Sequence, residues 1–325
     1  MFELLLPIVA IIIGLVLLIW SADTFIDGAS AAASLYGVST LLIGIFVLGF
    51  GTSAPEMVVS AIAAIEGTPE LAVGNVLGSN IANIGLVLGV TALIAPLVVQ
   101  SSTIKREMPI VLAITVLAGL LLMDLELSFS DGVILVVGLF LVLGYLTYAN
   151  QKQTQQNDPL ENEVEAEIDH SISKGKAIIM MLIGLVILIV SARILVWGAV
   201  EIATWAGVSE VIIGLTIVAI GTSLPELAAA ITATLKKEDD LTIGNLLGSN
   251  LFNILAVLSI PALLSPVALS PEIFDRDFWV MFAMTAFLIL FSFKLGQNSQ
   301  IKRWHGVVFF GSYISYLGLL GIQTL

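Results

Sequence analysis

The sequence predicts an all-α polytopic membrane protein with ten transmembrane helices, arranged as two inverted five-helix repeats. Composition is the first observation: of 325 residues, 58% are hydrophobic and only 11% are charged, whereas soluble domains carry about 25% charged residues. Second, the apolar residues form ten runs, and about 20 apolar residues suffice to cross a bilayer. Third, one polar motif occurs twice, and equivalent residues of the two copies lie 170 positions apart.

Each apolar run is interpreted as one membrane span. Five runs precede and five follow the polar stretch 150–176, so residues 1–149 are predicted to form the first repeat and residues 177–325 the second. The predicted spans are residues 4–22, 38–64, 71–97, 107–124, 131–149, 177–202, 210–235, 241–265, 278–294 and 304–322.

The stretch 150–176 is the long hydrophilic segment of the sequence. It is rich in Gln, Asn and Glu, and acidic residues occupy every second position from Glu161 to Asp169. Two interpretations are open, a crude cation-sensing segment and a solvated linker. Low hydrophobicity with high charge favours the linker.

Basic residues predict the orientation. When the ten spans alternate, ten Lys and Arg residues fall on the side of the linker, Arg276 falls on the other side, and Arg193 lies in or near a span. The positive-inside rule makes the linker cytoplasmic and places both termini outside. We expect the protein in the cell (inner) membrane. An odd number of spans per half inserts the two copies in opposite orientations, as in many secondary transporters.

The repeated motif has two parts. The first reads Gly-Thr-Ser-x-Pro-Glu at residues 51–56 and 221–226. The second reads Gly-Asn-x-x-Gly-Ser-Asn-x-x-Asn at residues 74–83 and 244–253. Over residues 51–88, 17 of 38 positions are identical to their equivalents, and the identities fall mostly on polar and small residues. The pattern indicates a duplication, with motif regions 51–83 and 221–253.

Glu56 and Glu226 lie within apolar runs, where an ionisable side chain costs about 3 kcal/mol or more and usually faces a cavity or a partner. One such residue is compatible with a structural hydrogen-bonding role, but two at equivalent positions indicate a functional site. The preceding prolines interrupt the helix and free backbone carbonyls. The candidate ligands are Thr52, Ser53, Glu56, Ser79 and Asn83 in the first copy, and Thr222, Ser223, Glu226, Ser249 and Asn253 in the second.

Four further asparagines of the motifs are open to two roles. They are either ligands or helix-to-helix hydrogen-bonding residues, and the second role is favoured. These residues are Asn75, Asn80, Asn245 and Asn250.

The donor set predicts a hard cation. The sequence has no Cys, and neither His170 nor His305 lies in a motif, so the candidate ligands are oxygens, which suit hard cations and not soft transition metals. Ca²⁺ takes 6–8 oxygen ligands in flexible geometry. Two carboxylates balance one Ca²⁺ or two Na⁺, which is a physical basis for mutually exclusive occupancy. Besides these transported ions and the lipid bilayer, we expect no cofactor, no nucleic acid and no obligatory protein partner.

The paired motifs resemble the α-repeats of the cation/Ca²⁺ exchanger superfamily, in its sodium/calcium exchanger branch, and the linker length is similar to a minimal prokaryotic type. The resemblance covers nearly the whole chain and implies exchange of external Na⁺ for internal Ca²⁺ by alternating access. It implies that Glu56 and Glu226 are the main Ca²⁺ ligands and that Na⁺ uses the same two carboxylates. It also implies carbonyl ligands from Thr52 and Thr222, Na⁺ sites at Ser53, Ser79, Ser223 and Ser249, and a centre completed by Asn83 and Asn253.

The resemblance also bears on coupling. Potassium-dependent relatives carry Asp at the position of Asn253, so this chain is expected to be potassium-independent. Proton-coupled relatives carry a glutamate shortly after the Gly-Asn pair, where this chain has Gly78 and Gly248. Carbonyls one turn before each motif, near Leu48 or Gly49 and near Val218 or Ala219, are further candidate ligands.

Three alternatives to Na⁺/Ca²⁺ exchange are open. Proton/Ca²⁺ antiport, or antiport of another divalent cation, follows if the two glutamates titrate. A channel is compatible with the spans, although inverted repeats favour a carrier. An intramembrane hydrolase would need a base beside Ser53 or Ser223, and neither part of the motif contains His or Lys in either copy. We therefore do not expect an enzyme.

Overall fold

Helices make up nearly all of this protein, because backbone polar groups inside a bilayer must be satisfied within the segment itself. The computed structural model describes residues 2–154, 173–207, 219–293 and 299–323. Four stretches within these ranges are π-helical and are named π1 to π4 below. The sequence-based prediction of a helical, multi-pass membrane protein is confirmed.

The first half contains nine α-helices, two π-helices and two short strands among the described residues. In order they are α1 (Phe2–Tyr36), α2 (Thr40–Ile43), π1 (Gly44–Gly49), α3 (Phe50–Thr52), α4 (Ala54–Ile65), α5 (Pro69–Ala82), π2 (Asn83–Leu88), α6 (Gly89–Ile94), β1 (Leu97–Val99), α7 (Ser101–Lys105), α8 (Glu107–Leu122), β2 (Glu126–Leu127) and α9 (Phe129–Thr154).

The described part of the second half follows a similar order. Its elements are α10 (Lys174–Trp205), α11 (Ala219–Thr222), α12 (Leu224–Leu235), α13 (Asp239–Phe252), π3 (Asn253–Val257), α14 (Ser259–Leu264), β3 (Val267–Ala268), π4 (Ile273–Phe278), α15 (Trp279–Ser292), β4 (Ser299–Ile301) and α16 (Arg303–Gln323).

Two continuous segments form the centre of the bundle. In the most apolar 18-residue stretch of Pro69–Ile94, 78% is buried, and in that of Asp239–Leu264, 83% is buried. The corresponding value is 22% for each of the long helices α1 and α10. The central segments contain the second part of each motif. The second part of each motif is therefore held in the most buried part of the fold.

Helices α1 and α10 pack closely against each other outside this centre. Glycines let their backbones approach: a Cβ on Gly28 would lie 2.5 Å from the backbone nitrogen of Met181, and one on Gly198 would lie 2.7 Å from the carbonyl oxygen of Pro7. Gly28 and Gly198 are equivalent positions of the two halves. Small residues at helix contacts are the usual means of close packing in membranes.

Two short antiparallel sheets connect the halves. Strand β1 pairs with β4, with Leu97 opposite Ile301, and β2 pairs with β3, with Leu127 opposite Val267. β1 and β3 start at the equivalent positions Leu97 and Val267, so each half contributes the same strand to a different sheet. These sheets were not predicted, because strands of two or three residues leave no readable pattern.

Two hydrogen bonds between the halves repeat the same relation. The backbone N–H of Ser270 donates to Glu70 Oε1 at 2.6 Å, and Gln100 Nε2 donates to Asp240 Oδ2 at 2.5 Å. Glu70 is equivalent to Asp240, and Gln100 is equivalent to Ser270. The second contact is thus the first one with the halves exchanged.

The structure supports fewer than ten spans directly. Among the described residues, six single helices are long and apolar enough to cross a bilayer, or seven with the bent pair Thr40–Thr52 and Ala54–Ile65. Helix α8 has 16 residues, α15 has 14 and continues from π4, and part of the predicted span 210–235 lies outside the described residues. Ten spans in two inverted repeats therefore stay a prediction.

Helix ends differ most from the predicted boundaries. Helix α1 continues to Tyr36 instead of ending near residue 22. The predicted linker 150–176 is helical at both ends, since α9 runs to Thr154 and α10 begins at Lys174, and residues 155–172 lie outside the described residues. Apolar run length locates the bilayer-spanning part of a helix, but a helix can continue with polar side chains into water.

Candidate cation site

In both copies, the first motif part lies at a helix break next to a proline. Helix α3 ends at Thr52, Ser53 lies outside the helices, and α4 starts with Pro55 in its first turn. The segments before and after the break are bent by 40°. The second copy repeats this arrangement with Ser223 and Pro225. Because proline lacks an N–H group and clashes with the preceding turn, the helix is interrupted here.

Glu56 and Glu226 follow these breaks, in the first turns of α4 and α12. Their side chains are buried, with residues 1% and 2% exposed. The N-terminal end of a helix favours negative charge, so each break provides a suitable place for a carboxylate. The two carboxylates lie close enough to interact electrostatically with each other. Two such groups in a buried space are a natural site for a cation.

π-Helical turns mark the second part of each motif. Asn83 is the first residue of π2 and Asn253 is the first residue of π3. Another π-helix, π1, ends just before α3 and the Thr52 break. π-Turns often occur at functional sites, where they alter the regular backbone hydrogen bonding. The irregular backbone therefore coincides with the residues that the sequence singled out.

Hydrogen bonds join the two motif copies across the middle of the protein. The Thr52 hydroxyl lies 3.2 Å from Asn245 Oδ1 and 3.3 Å from the Ser249 hydroxyl. Asn83 Nδ2 donates to Asn250 Oδ1 at 3.1 Å. Residues 167 to 197 positions apart in the sequence thus form one polar centre.

Three of the four additional asparagines form hydrogen bonds, and two of these bonds join different helices. Asn80 Nδ2 donates to the Val76 carbonyl at 2.8 Å, and Asn245 Nδ2 donates to the backbone carbonyl of Glu226 at 3.3 Å. Asn250 accepts from Asn83, as described above. The favoured helix-to-helix interpretation is consistent with Asn245 and Asn250, whereas the Asn80 bond stays within α5 and Asn75 Nδ2 has no hydrogen-bond partner among the described residues.

Several buried oxygens of the candidate ligands lack a hydrogen-bond partner among the described residues. A buried polar atom without a partner is uncommon and requires an explanation, such as a bound ion. The atoms are Glu56 Oε2, both carboxylate oxygens of Glu226, the hydroxyls of Ser53 and Ser223, and the Oδ1 atoms of Asn83 and Asn253.

The remaining predicted ligands vary in their surroundings. Ser79 on α5 is buried, and Ser249 contacts Thr52. Thr222 is only half-buried and is itself engaged in an interaction. The carbonyl of Leu48 accepts from the Thr52 hydroxyl at 2.9 Å and that of Gly49 from the Ser53 N–H at 3.3 Å.

Of the two corresponding carbonyls in the second half, only that of Ala219 belongs to the described residues. Val218 lies outside the described residues, and Ala219 begins α11. Their predicted role as ligands is therefore not tested.

The donor chemistry excludes one class of metal site in the described part of the chain. No three His, Cys, Asp or Glu side chains cluster there in a way that could hold a metal ion. The motif centre combines two carboxylates with hydroxyl, amide and backbone oxygens, which suits Ca²⁺ or Na⁺ better than a soft transition metal.

Arg193 is the residue whose importance the sequence did not reveal. It lies on α10 and lines a cavity of about 50 Å³ with Pro55, Thr222 and Pro225. Its charge interacts electrostatically with Glu56. A charged residue within a long apolar helix was the available signal, but nothing in the sequence indicated which motif it faces.

Comparison with known proteins gives a consistent result. The family described as sodium/calcium exchanger protein matches residues 6–149 and 176–321. A putative antiporter, CaxA of Alkalimonas amylolytica, is 45% identical over 310 residues, covering 95% of this chain and 97% of that protein. Inner membrane protein YrbG of Escherichia coli (strain K12) is 40% identical over 314 residues, covering 95% of each chain.

A solved structure agrees over the same length. The sodium-calcium exchanger NCX_Mj, soaked with 2.5 mM Na⁺ and 0.1 mM Ca²⁺, superposes with a TM-score of 0.83 at 31% sequence identity, covering 97% of this chain and 98% of that one. At this identity and coverage the likeness extends beyond isolated motifs to the entire fold.

Proposed function

The chain belongs to the sodium/calcium exchanger protein family, and from this premise we propose that it exchanges Na⁺ for Ca²⁺ across the membrane by alternating access, independently of K⁺. Members of the family are exchangers and antiporters, so a cation/Ca²⁺ antiporter is the general assignment and transport is favoured over the hydrolase hypothesis. The observation that carries the finer proposal is the pair Glu56 and Glu226, buried together beside oxygens that lack protein partners.

The proposed site uses the motif residues in distinct roles. Glu56 and Glu226 bind Ca²⁺ with carbonyl oxygens of Thr52 and Thr222, and the same carboxylates bind Na⁺ in the alternative occupancy. Ser53, Ser79, Ser223 and Ser249 contribute Na⁺ ligands, and Asn83 and Asn253 complete the centre. Because two negative charges balance one Ca²⁺ or two Na⁺, simultaneous full occupancy would leave excess positive charge in a low-dielectric interior.

The proposed architecture is ten helices in two inverted five-helix repeats, residues 1–149 and 177–325, joined by a cytoplasmic linker. The strand pairs β1–β4 and β2–β3 support it, because equivalent strands occupy different sheets. The exchanged contacts Glu70–Ser270 and Gln100–Asp240 support it in the same way. The distribution of basic residues supports termini on the outer side of the cell (inner) membrane.

Sodium coupling is proposed over proton coupling. The second motif part has no acidic residue after either Gly-Asn pair, and the sodium/calcium exchanger MaX1 of Methanosarcina acetivorans is 29% identical over 95% of this chain. The same donor set is compatible with other hard divalent cations, so Ca²⁺ itself is part of the proposal.

Competition binding tests the site directly. We expect purified protein to bind ⁴⁵Ca²⁺, with Na⁺ displacing it steeply and equal concentrations of K⁺ leaving it bound. Glu56→Gln and Glu226→Gln should each lose more than 90% of the binding, because removing one of two charges leaves the ion poorly compensated. Glu201→Gln, an exposed position on α10 outside both motifs, should bind as wild type does.

Two results would count against the proposal. Displacement by protons without displacement by Na⁺ would indicate H⁺/Ca²⁺ antiport. Retained binding in both motif variants would place the Ca²⁺ site elsewhere in the protein.

A further inference from the structure

An ion pair fastens helix α1 to the end of helix α12. Lys236 is the C-cap residue of α12, and its Nζ lies 2.7 Å from Asp23 Oδ1 and also contacts Asp27, both on α1. By the predicted orientation this pair is at the cytoplasmic end. Burial lowers the pKa of Lys236, but the hydrogen bonds and charges of Asp23 and Asp27 prevail and raise it above its ordinary value. Lys236 is therefore fully charged at neutral pH.

The 170-residue relation assigns a counterpart to this pair. Asp23 is equivalent to Arg193 on α10, and Lys236 is equivalent to Glu66, the C-cap residue of α4. Both charges are reversed, so the two equivalents are again of opposite sign. A complementary pair is thus available at each end of the protein, although the residues that form it differ.

The counterpart pair is not formed in this structure. Within the described residues, neither Arg193 nor Glu66 is in an ion pair, and both are exposed. Arg193 instead borders the cavity at Pro55 and interacts with Glu56. Glu66 lies eleven residues beyond Pro55, about 16 Å farther along α4. Part of that distance can be covered by the two side chains, and the remainder requires α10 to move along its axis.

Apolar packing shows the same asymmetry between the two ends. On α1, Phe25 and Ile26 are fully buried, in a cluster that includes Ala229 and Ala233 of α12. Their equivalents on α10, Leu195 and Val196, are only half-buried, and Val196 lines the cavity beside Pro55. The contact of α1 with α12 is therefore closed, whereas the equivalent contact of α10 with α4 is open.

We propose that the two ion pairs alternate: Lys236 with Asp23 and Asp27 closes the cytoplasmic end in the state seen here, and Arg193 with Glu66 closes the outer end in the opposite state. The inference rests on the proposed alternating-access function and assigns positioning roles to five residues that are not among the candidate ligands. In the state seen here, Arg193 remains near Glu56, and in the opposite state it moves to Glu66. A partly exposed ion pair is weak, so each pair biases the equilibrium without locking it.

Neutralising one residue of each ion pair should shift the equilibrium between the two states, in opposite directions for the two pairs. Glu66→Gln weakens the state that is closed outside, so the apparent KM for external Ca²⁺ should fall about two- to five-fold. Lys236→Gln weakens the state that is closed inside, and the same KM should rise by a similar factor, because only the outward-open fraction binds external ion. Glu201→Gln is the matched neutralisation on α10 and should leave the KM unchanged. Shifts of the same sign in Glu66→Gln and Lys236→Gln would contradict the alternation.

Cross-linking gives a readout independent of transport, because the chain contains no Cys. Two double variants, Asp23→Cys with Lys236→Cys and Arg193→Cys with Glu66→Cys, are treated in membranes with a short bifunctional thiol reagent. A reagent is preferred to direct oxidation, since a disulfide requires Cα atoms roughly 4.4–6.8 Å apart. We expect both variants to cross-link, each cross-link to stop exchange, and their yields to change in opposite directions when Na⁺ replaces Ca²⁺.

The outcomes separate this inference from the proposed function. Opposed cross-linking yields without Na⁺-driven Ca²⁺ flux in the wild-type protein would support the alternation and contradict Na⁺/Ca²⁺ exchange. Wild-type flux with no cross-link between positions 193 and 66 would contradict the alternation alone. Absence of both flux and that cross-link would contradict both.

Discussion

At the scale of single residues, Glu56 and Glu226 define the candidate site because they combine burial with unsatisfied oxygens. Each carboxylate sits at the start of a helix that proline has interrupted, so the local backbone both positions it and favours its charge. The surrounding hydroxyls and amides come from both halves. The candidate site is therefore assembled from residues that are distant in the sequence.

Thr52 provides a test of this dependence. Its hydroxyl bonds the Leu48 carbonyl and contacts Asn245 and Ser249 of the other half. Thr52→Val removes these contacts and leaves a buried amide oxygen unsatisfied, which costs about 1–3 kcal/mol. We expect Ca²⁺ affinity to fall about ten-fold or more in ⁴⁵Ca²⁺ binding.

Thr91→Val is the matched control for Thr52→Val. Thr91 makes the same bond to a carbonyl one turn back, at Val87, but lies in α6 outside the motifs. The Ca²⁺ affinity of Thr91→Val should stay within about two-fold of the wild-type affinity. Equal losses in both variants would show that Thr52 acts through helix stability and not through the site.

Sequence reasoning could find the motif residues because the 170-residue repeat exposes them. It could not pair Thr52 with Asn245, or Asn83 with Asn250, since a repeat gives equivalence and not contact. Arg193 was missed for the same reason: its charge is visible in the sequence, but its position beside Pro55 depends on how α10 packs.

At the scale of elements, the ends of α4 and α12 show how equivalent structures use different residues. After α4, Gly67 has φ +80°, and Thr68 N–H donates to the Ala63 carbonyl at 2.8 Å. After α12, Lys237 has φ +64°, and Glu238 N–H donates to the Ala233 carbonyl at 2.8 Å. Both ends are left-handed caps of the Schellman type, for which glycine is the usual residue.

Lys237 is therefore in a backbone conformation that costs a side chain roughly 1–2 kcal/mol. We expect Lys237→Gly to raise the free energy of unfolding by about 1 kcal/mol and Gly67→Ala to lower it by a similar amount. Thermal unfolding of detergent-solubilised protein, followed by the loss of monodisperse protein, measures both. A lower melting temperature for Lys237→Gly would mean that its side chain makes a contact that outweighs the backbone strain.

Helix positions were largely predictable from apolar runs, whereas helix ends were not. Run length gives the bilayer-spanning part, so the prediction for α1 ended where Asp23 and Asp27 begin. The helix continues beyond the apolar run, where Asp23 and Asp27 pair with Lys236 and Phe25 and Ile26 are fully buried. The π-helices were also not predicted, although Asn83 and Asn253, at which two of them begin, belong to the motif.

At the scale of the whole molecule, the two halves are similar in sequence but differ in packing. The buried contact of α1 with α12 and the open cavity beside α10 belong to equivalent parts of the fold. Such a difference is what two interconverting states of one repeated unit would produce. Sequence predicts the equivalence of the halves but not which end is closed, because both states satisfy the same apolar pattern.

Na⁺-coupled Ca²⁺ exchange through the two motif glutamates is the proposed function on which the other proposals depend. Its most direct test is ⁴⁵Ca²⁺ uptake into proteoliposomes loaded with Na⁺ and diluted into Na⁺-free medium, with and without K⁺ and with a pH-gradient control. We expect uptake that requires the Na⁺ gradient, is unaffected by K⁺, and is absent in Glu56→Gln and Glu226→Gln. Uptake driven equally well by a proton gradient without Na⁺, or retained in both variants, would contradict it.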